Sequence, residues 1–252
     1  MNWLLLRGLA REKAHWGEFG ERLSRARPGD AVFMQDLPGT GELYRERSPS
    51  SVAEIRHWVQ AATTHLPRPL GLIGMSLGGM VAIDWAFSRP ADLAGVVLIG
   101  TSTALSRPWD RMKPANWFRV IRLLASGNQA RREREILRLT SNRPVHEALE
   151  ASWVAIQRQH PVSRANVMRQ LYAAARFEAP SWCPDVPGLL LVSTADRLVD
   201  YRCTQQLALA WGWPQALHHS AGHDLVLDDP DWVVDQICGS LQPSYGPSRC
   251  QL

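Results

Sequence analysis

The sequence is short of lysine: Lys13 and Lys113 are the only two among 28 basic residues, so arginine carries nearly all of the positive charge. A GC-rich coding sequence produces such a bias without any polyanionic partner, and 28 basic against 24 acidic residues is a small surplus that does not point to nucleic acid. Cysteine is equally sparse. Cys183, Cys203, Cys238 and Cys250 form no C-x-x-C pair and no metal-ligand spacing, which argues against a zinc site and a dense disulfide framework and for reduced thiols. Long hydrophobic runs are missing as well. Leu4, Leu5 and Leu6 are cut off by Arg7, too short a run for the core of a signal peptide, and no stretch approaches the roughly 20 apolar residues of a membrane span. A soluble, cytoplasmic protein with no membrane partner is expected. There is no internal repeat, and residues 243–252, rich in Pro, Ser and Gly, read as a frayed tail.

What the chain does have is apolar content, 45% of its residues, enough to bury a sizeable core. Residues 3–6 and 31–34 are short apolar runs that end in glycine-bearing loops, and between them Trp16, Phe19 and Leu23 recur at helical spacing. Val52, Ile55, Val59 and Ala62 repeat that spacing, followed by strand-like residues 70–73, an apolar helix over 77–87 and a strand over 93–99. Strand and helix alternate, which predicts an α/β fold with a parallel sheet covered on both faces. The alternation stops between about residues 101 and 182, where only helical periods occur. It resumes with strands at 188–192 and 216–219 and a closing helix at 232–241. A core of residues 1–101 and 186–242 with an all-helical insertion over 102–185 is the expected organisation.

The sharpest local signal is Gly74-Met75-Ser76-Leu77-Gly78-Gly79, a G-x-S-x-G pattern where a predicted strand meets a predicted helix. The glycines relieve crowding around a serine on a cramped turn, and the helix N-terminus faces any negative charge developing there. A serine that merely caps a helix in a glycine turn would give the same pentapeptide; the strand-to-helix context favours the nucleophile. A serine needs a base, and a base needs an acid to orient it. Asp196 follows the strand at 188–192, and His223 follows the last strand in Ser220-Ala221-Gly222-His223-Asp224. Strand ends on the carboxyl side of a parallel sheet open on one crevice, so Ser76, Asp196 and His223 can converge. Asp200 is an alternative acid in the same loop, and Asp224 reads as a helix N-cap or salt-bridge partner. The remaining histidines, His15, His57, His65, His146, His160, His218 and His219, have no companions at ligand spacing, so no metal and no cofactor is expected. Residues 36–41, Asp-Leu-Pro-Gly-Thr-Gly, form a turn signature rather than a phosphate cradle, because no Lys-Ser/Thr pair follows the glycines.

With G-M-S-L-G-G, D-L-P-G-T-G and A-G-H-D in this order, the chain resembles the α/β-hydrolase superfamily from about Trp3 to Leu241, as a serine esterase with a helical cap. The resemblance implies Ser76 as nucleophile, His223 as general base and acid, Asp196 as the residue orienting it, and an oxyanion hole of the Leu9 and Leu77 amides. It also implies a sheet of about six strands, since the two leading strands common in the family have no counterpart here. The family normally has His-Gly-x after the first core strand, and here the loop reads Arg7-Gly8-Leu9. Arg7 either braces that loop through carbonyl hydrogen bonds or reaches an anionic substrate group.

Residues 102–185 hold fourteen basic and seven acidic residues, a net +7 that leaves −3 for the rest of the chain. Helical surfaces need charge and arginine is this chain's default base, but a basic cap also suits an acidic carrier or an anionic acyl chain. In this the chain resembles the pimeloyl-acyl-carrier-protein methyl ester esterases of biotin synthesis, and general carboxylesterases share the outline. That resemblance implies a carboxylic ester substrate and an acyl carrier protein as partner. Trp109, Trp117 and Trp153 are candidates for lining an acyl pocket, or for holding the cap helices together. Carbon–carbon bond hydrolases and thioesterases use the same serine, and a non-catalytic ligand-binding homologue would keep the pocket.

Overall fold

The computed structural model describes residues 1–240, the Leu124 side chain excepted. Leu241 of the expected closing helix, the 241–242 end of the expected core, and the expected tail at 243–252 lie outside the described residues. Six strands form one parallel sheet: β1 (Asn2–Leu6), β2 (Ala31–Gln35), β3 (Leu70–Met75), β4 (Leu93–Ile99), β5 (Gly188–Ser193) and β6 (Gln215–His218), in the order β2-β1-β3-β4-β5-β6. The inner strands β3 and β5 are buried at every residue, whereas the edge strands β2 and β6 contain no fully buried residue. That is why the inner strands read as unbroken apolar runs, while the edge strand β6 reads as a weak one.

The two-residue period of a strand divides its side chains between two cores. Leu4 and Leu6 of β1 join Val52, Ile55 and Val59 of α2 (Val52–Ala62), Val81 and Trp85 of α3 (Leu77–Ser88), and Leu207 and Trp211 of the helix Arg202–Trp211. Trp3 and Leu5 face the other way, onto Phe19 and Leu23 of α1 (Phe19–Ala26) and Val233 and Ile237 of the helix Pro230–Ser240. The chain leaves β1 for the β2 edge and returns through β3 to build the other side. The order therefore reverses between β1 and β3, and the crevice at their carboxyl ends is the switch point of the sheet.

Between β4 and β5 run α4 (Pro108–Arg111), α5 (Trp117–Ala125), α6 (Gln129–Thr140), α7 (Glu147–Gln159) and α8 (Arg164–Ala175), with no strand among them. Asn128 and Ser163 cap α6 and α8 by accepting from the Arg131 and Asn166 amides. The insertion is tied to the loops beneath it. Lys113 Nζ donates to the Asp196 carbonyl at 2.6 Å, and Asn142 Nδ2 donates to the Ala195 and Ser220 carbonyls, each at 3.0 Å. The buried Asp228 of α10 (Leu225–Asp228), which follows α9 (Arg202–Trp211), accepts from Ser141 Oγ, from the Asn142 amide at 2.8 Å and from the Gly222 amide at 2.6 Å. The last helix, Pro230–Ser240, is α11.

α3 starts so close to β1 that a Cβ on Gly78 would lie 2.2 Å from the Leu6 carbonyl oxygen and 2.6 Å from that of Arg7. Both obstacles are backbone and cannot swing aside. Gly78→Ala should therefore cost about 1–3 kcal/mol in denaturant unfolding. Gly239→Ala, in α11 with open space around it, should be neutral or stabilise by up to about 1 kcal/mol.

Candidate active site

Ser76 sits between β3 and α3 with φ 52° and ψ −115°, a left-handed conformation that a side chain adopts only under strain of about 1–3 kcal/mol. Hydrogen bonds hold it there: its amide donates to the Ile99 carbonyl at 2.9 Å, and its carbonyl accepts from Thr101 Oγ1 at 2.8 Å. Room for the turn comes from Gly74, where a Cβ would lie 2.5 Å from the Gly78 carbonyl oxygen.

Asp196 and His223 come from the ends of β5 and β6. His223 Nδ1 lies 2.7 Å from Asp196 Oδ2, both side chains almost fully buried. The other carboxylate oxygen of Asp196 accepts from the amides of Leu198 (2.7 Å) and Val199 (3.0 Å), which fixes its plane. Burial opposes a charge on the His223 ring, but the negative charge of Asp196, its hydrogen bond and the nearby Asp224 outweigh burial and Arg7, so the imidazole is held above its ordinary value. Asp200, the alternative acid, turns to α9 instead and accepts from the Arg202 amide at 3.0 Å.

Ser76 and His223 line the same cavity but are not hydrogen-bonded to each other; in hydrolytic sites this contact commonly tightens only around substrate. Leu9 lies on the cavity wall, and Leu77 is the first residue of α3, directly after the serine. The loop carrying Leu9 is held by a strained Ala10 (φ 55°), whose amide donates to the buried Gln170 Oε1 of α8 at 2.8 Å.

Arg7 is buried on the cavity wall, and its hydrogen bonds go to side chains rather than to the loop carbonyls expected from the sequence. Its guanidinium forks onto the Asp224 carboxylate at 2.6 and 3.2 Å, donates to Met75 Sδ at 3.2 Å and stacks over Trp16 at 5.0 Å. The loop is thus braced through a carboxylate beside His223 rather than through carbonyls. Asp224 is both the N-cap of α10, accepting from the Leu227 amide, and the ion-pair partner.

The cavity has a volume of about 170 Å³. Core residues 7–11, Met75, Ser76, Leu198, His223 and Asp224 form one side, and the insertion closes the other with Val120, Leu123, Ile136, Leu139, Trp153 and Leu171. Of the three candidate tryptophans only Trp153 reaches it. Trp109 is half exposed under the Arg107 guanidinium, and Trp117 is half exposed with its Nε1 donating to the Met112 carbonyl, so neither is part of the wall. The aliphatic residues of α5, α6 and α8 were not singled out by sequence, since helical period marks an inward face without distinguishing a cavity from a core. Among the described residues no group of three His, Cys, Asp or Glu side chains has metal-binding geometry, and no helix is long and apolar enough to cross a membrane.

A parallel sheet with a strained serine at its switch point and a buried Asp–His pair alongside defines a class, and the chain belongs to it: the alpha/beta hydrolase family matches residues 3–236. Among curated relatives, the pimeloyl-[acyl-carrier protein] methyl ester esterase of Xylella fastidiosa is 28% identical over 96 residues, 38% of this chain and 36% of that protein. Its namesake from Aromatoleum aromaticum is 36% identical over 87 residues, 34% and 33% of the two chains. The matches thus span about a third of those relatives' length. A hydrolase structure from Pseudomonas aeruginosa superimposes with a TM-score of 0.77 at 18% identity, over 95% of this chain and 89% of that one, a likeness of fold.

The Arg7–Asp224 pair is 2–3% exposed, so removing one partner leaves a buried charge. Arg7→Met or Asp224→Leu alone should cost about 3–5 kcal/mol in denaturant unfolding, whereas the double replacement should cost less than either single change.

Proposed function

We propose that the protein hydrolyses a carboxylic ester through an acyl-enzyme on Ser76. The observation that carries this reading is the 2.7 Å contact between Asp196 and His223 on the wall of the same cavity as a serine in a left-handed strand-to-helix turn. With His223 Nδ1–H donating to Asp196, Nε2 is left with its lone pair to take the Ser76 proton. Ser76 Oγ bonds to the ester carbonyl carbon, and the oxygen that becomes negative is met by the Leu9 and Leu77 amides. Collapse of this intermediate breaks the bond to the alkoxy oxygen, which takes its proton from His223 and departs as the alcohol. Water then adds to the acyl-enzyme, its proton passing to His223, and the carboxylic acid leaves as Ser76 regains a proton. No step draws on a cofactor.

The apolar wall suits the acyl chain of the substrate. Two observations favour a chain delivered by an acidic acyl carrier protein: the matches to carrier-protein esterases, and a second cavity of about 710 Å³ on the insertion. Its rim carries Arg119, Arg122, Arg134, Arg138, Arg143 and Arg197 against Glu135 and Glu150. Leu123 and Leu139 line both cavities, so the basic face adjoins the apolar one.

Ser76→Ala should lower p-nitrophenyl ester hydrolysis by at least about 10³-fold, and equal rates in both proteins would rule out the serine mechanism. In the same assay across pH, the wild-type rate should fall on the acid side with an apparent pKa above the ordinary imidazole value, because the base works only when neutral. Asp196→Asn removes the charge that raises it, so the residual activity should persist to lower pH. For the carrier, Arg119→Glu with Arg143→Glu should cut kcat/KM on a carrier-bound methyl ester by about tenfold or more while leaving a free short-chain ester within about twofold. Equal losses on both substrates would exclude docking by these arginines.

A further inference from the structure

His223 stands beside two aspartates. Asp196 meets its Nδ1 at 2.7 Å and orients the ring, whereas Asp224, the next residue in the chain, turns its buried carboxylate to Arg7. Nη2 lies 2.6 Å from Oδ2 and Nη1 3.2 Å from Oδ1, and the Leu227 amide donates to Oδ1 at 3.3 Å. The Asp224 amide donates to the Thr140 carbonyl of α6 at 2.8 Å, so the residue is fixed at both ends. Arg7 is fixed as well, stacked over Trp16 with Nη1 3.2 Å from Met75 Sδ. It therefore bonds the residue just before the nucleophile and the residue just after the base. A buried carboxylate next to an imidazole draws a proton to the ring. Burial disfavours the charged ring, Asp196 and then Asp224 favour it, and the Arg7 guanidinium works against them. The turns after β3 and β4 add no charge: Ser76 comes from one, and from the other the Gly100 backbone, where a Cβ would lie 3.2 Å from His223 Cε1. Across the cavity the insertion brings Arg132, Arg164 and Glu133, the last paired with Arg11 at 2.6 Å.

We propose that Arg7 is a positioning residue for the reaction and acts through Asp224: by claiming that carboxylate it keeps it off the imidazole and balances its charge, so that Asp196 alone directs His223 and the ring stays free to take the Ser76 proton at neutral pH. This rests on His223 being the general base of the ester hydrolysis described above. A guanidinium suits the task, because it keeps its charge across the whole range in which an imidazole titrates and its fork matches a carboxylate. The pair adds no atom to the reacting centre; it sets the pH at which the base works.

The titration midpoint of His223 is read in two independent ways: from the acid limb of kcat/KM for a p-nitrophenyl ester, and by NMR from the imidazole Cε1–H signal in the Ser76→Ala background, assigned by its loss in His223→Gln. Arg7→Met leaves Asp224 unbalanced and should raise the midpoint by about one pH unit or more. Asp224→Asn, which keeps the shape and the capping of the aspartate, leaves Arg7 unbalanced and should lower it by a similar amount. The double variant should return to within about half a unit of wild type, and Arg7→Lys, which keeps the charge, should stay closer to wild type than Arg7→Met. A midpoint comes from the shape of a titration, so an unfolded fraction lowers the amplitude without moving it. If Arg7→Met does not fold, the rise from Asp224→Asn to the double variant measures the same contribution. Midpoints that move in one direction in both single variants, or that stay in place while only the plateau rate drops, would overturn the proposal and leave the pair as a brace. Ester turnover that survives loss of Ser76 would instead overturn the serine mechanism, and the NMR midpoints would still decide on Arg7.

Discussion

At the crossing of β1, β3 and α3 the backbones of Leu6, Gly74 and Gly78 meet with no side chain between them. That contact sets how steeply the chain must turn at Ser76, and so forces its φ positive. The remainder of the site takes its position from the same crossing. The loop after β1 passes so near that a Cβ on Gly8 would lie 3.2 Å from that of Ser76, and Leu9 lines the same cavity as the serine. The switch in strand order then opens the crevice at this point and nowhere else along the sheet.

The core was readable because its signals are local. Apolar runs at β3, β4 and β5 are continuous since both faces are covered, and the glycines around Ser76 announce their crowding in the sequence. Asp196 and Asp200 could not be separated by spacing; only the direction each carboxylate takes distinguishes them, one toward His223 and one into the start of α9. Tryptophan content misled at Trp109 and Trp117, since size and apolarity do not reveal which side of a helix faces inward. Glu133 was hidden by its setting: within Arg131-Arg132-Glu133-Arg134-Glu135 it reads as surface charge, yet it is buried against an arginine 122 residues earlier.

Charge is distributed by depth. Outward, the insertion bears a belt of arginines in which Glu135 and Glu150 neutralise part of the surplus. Inward, two ion pairs lie at the cavity wall, Arg7 with Asp224 and Arg11 with Glu133. Within each pair the opposite charges largely cancel at short range. An incoming ester is then selected there by shape and hydrogen bonding, while long-range attraction belongs to the outer face.

Arg7 and Asp224 lie 217 residues apart in the chain and meet at the wall of the cavity. A contact spanning so much sequence forms late, because nearly the whole loop entropy has to be overcome before the pair can close. Until then each charge stays hydrated, and the loops that carry Leu9 and His223 have no common anchor. The sheet and its helices can therefore be complete while the site is still open, so recovery of activity on refolding lags behind recovery of secondary structure.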